Sequence, residues 1–502
     1  MPKLITLPDA MEREVRFVED TPPGQIIEAT LARLRDGASD KDLYAAATLA
    51  VCRSNEIQID HHGGPLHPVA GMHALIDLGR RLDGDGKRFA VVQGVALANR
   101  HVHSPEMGPA VMLDVEDPND TDAKAAAGLV SAIHGQYPVA AERHLLTLLK
   151  TRSPGQVLDL MLDVALRRNA LDDHYLLYPL LTARTLDVVG WEWASVLLRP
   201  VARWLAMPPI SVVHGDDGSD FFKDCLGRYW TFDRLEKLVE KHKLLARDLR
   251  VKTGKDEDNA VADLGARIGA LSDFDKIPEL LAAAIAGGLS LEGAGEALSI
   301  GGATIHLRTN YGNPLDVHIH NGIAVRRYLI GLEGVSLRNK LLALLSLSTG
   351  PEIRLSMGKL VHTPNADQTE RAGLPDDGPG LLKEIERQVE AQRADRESAR
   401  TGGGRAGMVA QPQMRKVVAA AEQYLAGGND PQALIRTLGR LVIRDDATEL
   451  HSLAGYHDAV EQYETTRAPH NAIHLVSAAK AVACGYGFGQ DTYQAAKQHL
   501  KV

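Results

Sequence analysis

The chain has 502 residues, of which 44% are hydrophobic and 24% are charged, and this balance excludes a disordered or fibrous polymer. Only 5% of the residues are aromatic, so Leu, Ala, Val and Ile must fill the core, which favours packed helices over a β-sandwich. The formal net charge is −9 and no basic run occurs, so nucleic acid and anionic membranes are poor partners.

The cysteines and the apolar stretches indicate a cellular location. Cys52, Cys225 and Cys484 lie far apart and form no CxxC pair, which excludes a disulfide framework and a zinc site with Cys ligands. The first residues are not apolar for long enough to form a signal peptide, and the longest apolar stretch, 280–291, is too short to span a bilayer. We therefore expect a cytoplasmic protein that does not enter a membrane.

Four segments of the chain begin alike, each with a proline followed by an amphipathic helical pattern. The prolines are Pro23, Pro154, Pro278 and Pro431. Proline suits the first helical position because its missing N–H would have no partner there, and apolar residues follow at the i, i+4, i+7 spacing of a helix. A break, a second helical pattern and a third helical pattern come after each start, which predicts four divergent internal repeats.

These repeats predict an all-α fold in which helical units pack side by side as an arc or ring around a central cavity. Repeats one to three, starting near residues 23, 154 and 278, occupy 1–362. Residues 363–415 are rich in Gly, Pro, Asp and Arg, which predicts a flexible, charged and exposed insertion. Residues 416–502 form the fourth repeat and complete the same domain.

The chain contains 20 histidines, and the positions of several of them are unusual. His67, His320 and His470 stand at similar offsets from the starting prolines of repeats one, three and four. Because repetition points equivalent helices at a shared axis, we expect these three imidazoles to converge and to bind a metal ion. The alternative is a polar core in which the same histidines are structural.

Two local patterns add to this metal hypothesis. His62 and His67 lie in a histidine-rich entry to a helix, and imidazole is the commonest protein ligand of first-row metals. His318 and His320 form an HxH in a locally extended stretch, where alternate side chains point the same way and can share one ion. A polar loop or helix start satisfied by side chains is the alternative for both.

A helical pair and the second repeat supply the remaining candidates. His470 and His474 stand at i, i+4 on one predicted helical face, a spacing that can bind one metal ion or simply face solvent. His174, Tyr178 and Glu192 are candidate catalytic residues of repeat two. A histidine among leucines is commonly a hydrogen-bonded core residue, whereas a buried glutamate between two tryptophans would need a cation or a metal.

Two short segments carry a family resemblance. The His-His-Gly-Gly-Pro of 61–65 resembles the early His-Gly segment of the questin oxidase-like proteins, and the Asn-Ala-Ile-His-Leu of 471–475 resembles their late His-Ala-Ile-Lys-Leu segment. Asn471 stands where that family has His, and His474 where it has a Lys that is a carboxylated metal ligand in some members. The resemblance implies a helical, non-heme iron oxygenase in which His470 or His474 replaces those ligands.

The sequence therefore favours a metal-dependent oxidoreductase, a non-heme iron oxygenase or oxidase that acts with O₂ on a bulky organic substrate such as a polycyclic aromatic compound. Imidazole ligands alone do not distinguish iron from zinc or copper, and a homo-oligomer is compatible with this interpretation. One alternative is a non-catalytic helical-repeat interaction protein with structural histidines. Another is a helical haem protein, which the absence of CxxCH disfavours.

Overall fold

In the computed structural model, every regular element of the described residues is a helix, apart from one isolated β-bridge between Leu4 and Leu113. This confirms the predicted all-α class, whereas the arc or ring around a cavity stays a prediction. The described residues are 4–54, 66–104, 112–169, 173–207, 231–272, 276–309, 318–346, 368–401, 412–446, 451–485 and 489–500.

The helices follow one another in this order: α1 (Asp9–Asp20), α2 (Ile26–Arg35), α3 (Asp40–Arg53), α4 (Leu66–Arg81), α5 (Asp85–Val102), α6 (Asp122–His134), α7 (Pro138–Thr151), α8 (Pro154–Arg168), α9 (His174–Val189), α10 (Ala194–Leu205), α11 (Phe232–Lys241), α12 (Asp258–Gly269), α13 (Ile277–Ala286), α14 (Leu291–Arg308), α15 (His318–Gly331), α16 (Leu337–Leu345), α17 (Gln368–Arg371), α18 (Gly378–Thr401), α19 (Pro412–Ala426), α20 (Pro431–Val442), α21 (His451–Thr465), α22 (Ala472–Gly485) and α23 (Asp491–Leu500). Short 3₁₀ turns lie between some of them. None of the described helices is long and apolar enough to cross a membrane.

The proline starts show how local sequence begins these helices. Pro154 is the first residue of α8, where Ser153 and Gln156 form a capping box, and such a box satisfies backbone N–H groups that the helix leaves free. Pro431 is likewise the first residue of α20, and the Asp430 side chain accepts from a backbone N–H of the first turn. Pro278 lies in the first turn of α13. The starts predicted at Pro154 and Pro431 are confirmed, and Pro278 is the second residue of its helix. The start predicted at Pro23 is wrong, because α2 begins three residues later at Ile26.

Four helices from distant parts of the chain form the centre of the fold. Helix α4 contacts α9, α9 contacts α15, α15 contacts α21, and α21 contacts α4. We call these the four central helices. In the predicted repeats, α4 and α15 are third helices whereas α9 and α21 are second helices, so the centre alternates between two repeat positions. The other third helices, α10 and α22, pack against α9 and α21 respectively.

The segment predicted as an exposed insertion contains a packed helix. Leu381, Ile385 and Val389 lie on one face of α18 and are buried, and α18 packs along α19. Their i, i+4, i+8 spacing is that of an apolar stripe that faces a core. This helix is therefore docked on the rest of the fold along one side.

Candidate metal centre

A cavity of about 40 Å³ lies between the four central helices. Four imidazoles line it, those of His67, His73, His174 and His318, which we call the cavity histidines. The other polar side chains in its wall are Tyr178, Asn321 and Asp458, and small or apolar side chains complete it. This volume is enough for one or two water-sized groups.

Three of the cavity histidines stand in the first turns of three different helices. His67 is the second residue of α4, His174 is the first of α9, and His318 is the first of α15. The ring centroids of His67 and His174 are 5.1 Å apart, and those of His174 and His318 are 5.8 Å apart. Two imidazoles that bind one ion at about 2.1 Å have centroids roughly 5 Å apart. The observed spacings are close to that value.

Tyr178 orients two of these rings. Its hydroxyl lies 3.1 Å from Nδ1 of His67, and its ring stacks on His174 with centroids 4.9 Å apart. His174 and Tyr178 share a face of α9 because they are four residues apart. When a histidine binds a metal through Nε2, its Nδ1–H normally donates to a neighbouring acceptor, and the phenol oxygen of Tyr178 is placed to accept from His67.

A fully buried ion pair fixes the start of α9 against α15. The Asp173 carboxylate accepts two hydrogen bonds from the Arg326 guanidinium, at 2.8 and 3.0 Å, and both side chains are 0% exposed. Arg326 also donates to three backbone carbonyl oxygens at 2.7 to 3.0 Å. Because Asp173 precedes His174 and Arg326 lies on the helix of His318, this pair positions the two histidines relative to each other.

His73 has the ring state that metal binding requires. Its Nδ1–H donates to the Ala70 carbonyl oxygen at 2.7 Å, so the lone pair is on Nε2, which is buried and has no hydrogen-bond partner among the described residues. Burial lowers the pKa of His73 well below its usual value, and the charges of Arg184 and His457 lower it further. The neutral imidazole is the form that coordinates a metal.

A charged group lies directly behind His73. His457 lies between two carboxylates, with Nε2 3.0 Å from Asp77 and Nδ1 2.9 Å from Asp458. Burial alone would lower the pKa of His457, but hydrogen bonds to Asp458 and Asp77 raise it to about 8. The ring is therefore an imidazolium that donates from both nitrogens, and Arg184 lies 3.4 Å from Asp458 on the other side. Nitrogens of His73 and His457 and an oxygen of Asp458 lie within 4.8 Å of one another.

A second group of histidines surrounds a hydroxyl instead of a cavity. Nδ1 of His306 and Nε2 of His320 lie 2.6 and 2.8 Å from Oγ of Ser477. We call these three residues the serine cluster. Burial lowers the pKa of His320 to about 4, and burial together with the charge of Lys480 lowers that of His306 well below its usual value. Both rings are neutral and hydrogen-bonded.

The local geometry predicted for two histidine pairs is wrong. The chain is helical from His318, not extended, so His318 and His320 point about 200° apart around α15 and cannot share one ion. His470 lies in a turn before α22, which begins at Ala472, so the expected helical face with His474 does not form. His474 is buried beside the hydroxyl groups of Ser299 on α14 and of Thr466, the residue after α21.

The structure brings together four of the residues singled out from the sequence, namely His67, His174, Tyr178 and His318. It places His320, His470 and His474 outside the wall of the cavity. Glu192 is on the surface, with a 60% exposed side chain 4.0 Å from the ammonium of Lys41, so it needs no buried cation. His62 lies outside the described residues.

No sequence pattern predicted Asp77, His457 and Asp458 as site residues. Asp458 lines the cavity, and His457 connects it to Asp77 on α4, although 380 residues separate Asp77 from His457. The available signal was local: His73 and Asp77 stand at i, i+4, and the adjacent pair His457 and Asp458 interrupts apolar positions of α21. Neither signal identifies the other half of the group.

The donor set of the cavity is chemically selective. Four imidazoles with nearby carboxylate oxygens suit zinc, copper or iron, whereas magnesium and calcium prefer sites built from oxygen alone. The Tyr178 and Ala70 oxygens supply the outer partners that hold two of the rings. Comparisons of the chain with family models, with curated proteins and with solved structures find no match, so these residues themselves are the basis for a function.

Proposed function

We propose that the chain is a metal-dependent oxidoreductase whose metal ion is bound by the cavity histidines. The observation that carries this proposal is that four imidazoles from α4, α9 and α15 line one cavity. Among them, His73 presents a buried Nε2 without a hydrogen-bond partner in the described part of the chain. An unpaired buried nitrogen is destabilising by about 1–3 kcal/mol unless something binds it, and a metal ion would.

The neutral ligands determine what such an ion can do. Four imidazoles leave the full positive charge on a divalent ion, which then lowers the pKa of bound water and attracts anionic groups. Asp458, held by Arg184 and His457, provides a fixed carboxylate at the wall that can accept a hydrogen bond from a small molecule beside the ion. Imidazole ligands suit iron, zinc and copper alike. The resemblance of 471–475 implies iron through His470 or His474, and these two residues lie outside the wall of this cavity.

The size of the cavity bears on the reactant. At about 40 Å³ it holds a molecule such as O₂ or water beside an ion, whereas a pocket for an organic ligand usually exceeds about 300 Å³. The proposal therefore assigns the small reactant to this cavity. A bulky organic substrate would have to bind in a neighbouring space and react at the edge of the site.

Metal analysis of matched variants tests the proposal. We expect protein purified without a histidine tag to contain a transition metal, and His73→Ala and His318→Ala to lose most of it because each removes a ligand. His306→Ala is the matched control, since His306 is an equally buried histidine that belongs to the serine cluster. It should retain the metal content of the wild-type protein.

The same samples separate the competing functions. Near-zero metal in wild type and variants alike, also after incubation with Fe(II), Zn(II) and Cu(II), would contradict the proposal and favour a non-catalytic helical-repeat protein. A Soret absorbance band would identify haem instead. A further measurement follows the optical spectrum of the anaerobic Fe(II) protein on exposure to O₂, with the Zn(II) protein as control. If iron binds but this spectrum does not change, the result supports the metal site and contradicts the proposed oxidoreductase activity.

A further inference from the structure

A second, larger cavity lies beside the first. It measures about 320 Å³ and is lined by side chains of α14, α15 and α21, including Arg327, Tyr328 and Glu461. This volume is in the range of pockets that bind small organic molecules. Glu461 stands three residues after Asp458 on α21, about one helical turn along, and Arg184 contacts both carboxylates. The two cavities are therefore neighbours.

The carboxylates in this second cavity already have cationic partners. The pairs are Glu292 with Lys252 at 2.8 Å, Glu296 with Arg467 at 2.8 Å, and Glu461 with Arg184 at 2.6 Å. Each of these carboxylates therefore makes its ion pair with a cation other than Arg327. The remaining charged group in the wall is the guanidinium of Arg327.

Arg327 is held only by neutral groups. Its Nη1 donates to the hydroxyls of Thr466 and Ser299, at 3.2 and 3.3 Å, and to the Gln462 amide oxygen, while its Nη2 donates to the Thr465 carbonyl oxygen at 2.9 Å. Across the described ranges, Nε donates to no group and no carboxylate oxygen lies within 4.0 Å of this guanidinium. Burial lowers the pKa of Arg327, and the carboxylates of the wall offset only part of this effect.

We infer that this cavity binds a small organic monocarboxylate, with the Arg327 guanidinium as its anchor. A planar guanidinium donates two parallel hydrogen bonds to a carboxylate, and here four existing hydrogen bonds already fix its position. The side chains of Tyr328, Ala324 and Ile330 offer an apolar wall to the carbon skeleton. The inference does not depend on the metal site, because none of the cavity histidines lines this pocket.

The charges of the wall also set the class of anion. Glu292, Glu296 and Glu461 are screened by their partners but remain negative, so a second negative charge on the ligand would lie close to them. A dianionic phosphate or a dicarboxylate therefore fits worse than a monoanion. Benzoate and acetate represent the expected class, and succinate and inorganic phosphate represent the disfavoured one.

Calorimetric titration of the metal-free 502-residue chain with these four probes tests the inference. We expect saturable binding of benzoate, weaker binding of acetate, and binding of succinate and phosphate at least tenfold weaker than that of benzoate. Arg327→Met should weaken benzoate binding at least tenfold. Arg327→Lys, which keeps the charge but loses the bidentate geometry, should weaken it less. Arg267→Met, an exposed arginine of α12, is the control and should bind like the wild type.

Several results would overturn the inference. They are the absence of saturable carboxylate binding to the wild-type protein, equal benzoate affinity in Arg327→Met and Arg327→Lys, and tighter binding of phosphate or succinate than of benzoate. If Arg327→Met fails to fold by circular dichroism, Arg327→Lys carries the comparison. His318→Ala should bind benzoate normally, so that loss of the metal and loss of the carboxylate are separate outcomes.

Discussion

The cavity histidines and the serine cluster are neighbouring groups of helical imidazoles that differ in what faces their nitrogens. In the serine cluster, His306 and His320 share one hydroxyl, and Ser477 donates its single hydrogen to one ring while the other ring donates to its oxygen. In the cavity, Nε2 of His73 faces a space instead of a partner.

This difference bears on which of the buried histidines could coordinate the proposed metal ion. Burial lowers the pKa of His73 and of His320 alike, so both rings are neutral and both could in principle coordinate a metal. Their surroundings separate them. His73 lines the cavity and its Nε2 has no partner among the described residues, whereas Nε2 of His320 is hydrogen-bonded to Ser477 outside the wall of the cavity.

The largest expected effect comes from removing the buried ion pair between Asp173 and Arg326. Arg326→Met removes the partner of the buried Asp173 carboxylate, and an uncompensated buried charge is destabilising by about 3–5 kcal/mol. We expect urea unfolding to show a loss of this size. Because the pair fixes His174 against α15, any folded fraction should also contain less metal than the wild-type protein.

Arg88→Met is the control for that measurement. Arg88 is exposed and pairs with Asp85 within α5 at 2.9 Å, and such surface pairs contribute about 0–1 kcal/mol. A loss below about 1 kcal/mol in Arg326→Met would show that the buried ion pair does not stabilise the start of α9.

A smaller effect is expected from the serine cluster. Ser477→Ala removes the shared hydroxyl and leaves a buried imidazole nitrogen without its partner, which is destabilising by about 1–3 kcal/mol. The two rings have centroids 4.6 Å apart, so they can partly compensate by hydrogen bonding to each other. Metal content should not change. A loss of metal in Ser477→Ala would mean that the serine cluster belongs to the metal site, while Ser131→Ala on the exposed side of α6 controls for the substitution itself.

The smallest effect is a pH dependence from His306. Its pKa in the folded protein is well below the usual value, while in the unfolded chain it is about 6.5. Below about pH 6.5 only the unfolded chain takes up the proton, so the free energy of unfolding falls as the pH falls, by up to about 1.4 kcal/mol per pH unit. His306→Gln keeps a polar partner for Ser477 without titrating, and its unfolding free energy should depend less steeply on pH between about pH 7 and pH 5. If the unfolding free energy depends equally steeply on pH in the wild-type protein and in His306→Gln, the lowered pKa of His306 is contradicted.

Local sequence predicted the parts of the fold that local interactions determine. The starts of α8 and α20 follow from Pro154 and Pro431, with a capping residue before each. Leu-rich and Ala-rich periodicity was sufficient for the all-α class. His67 was identified from its offset in the predicted repeats and its histidine-rich helix entry, and His174 as a histidine within an apolar helix.

The remaining features depend on contacts between distant residues. Whether His318 or His320 faces the cavity depends on where α15 begins, and an alternation over three residues is equally typical of a strand. The state of His457 depends on Asp77, which is 380 residues away in the chain, so its charge could not be read from its neighbours. The exposure of Glu192 depends on how α10 packs, and two adjacent tryptophans were not sufficient to bury it.

The order of the four central helices along the chain has a consequence for biosynthesis. The first wall of the cavity, α4, leaves the ribosome long before the last wall, α21, which supplies Asp458. A chain that ends before α21 has the three helices that carry the cavity histidines but lacks the fourth wall of the cavity. Contacts between such distant segments form late in folding. Loading of an ion would therefore follow completion of nearly the whole polypeptide, and the bound ion would stabilise only molecules that had finished folding.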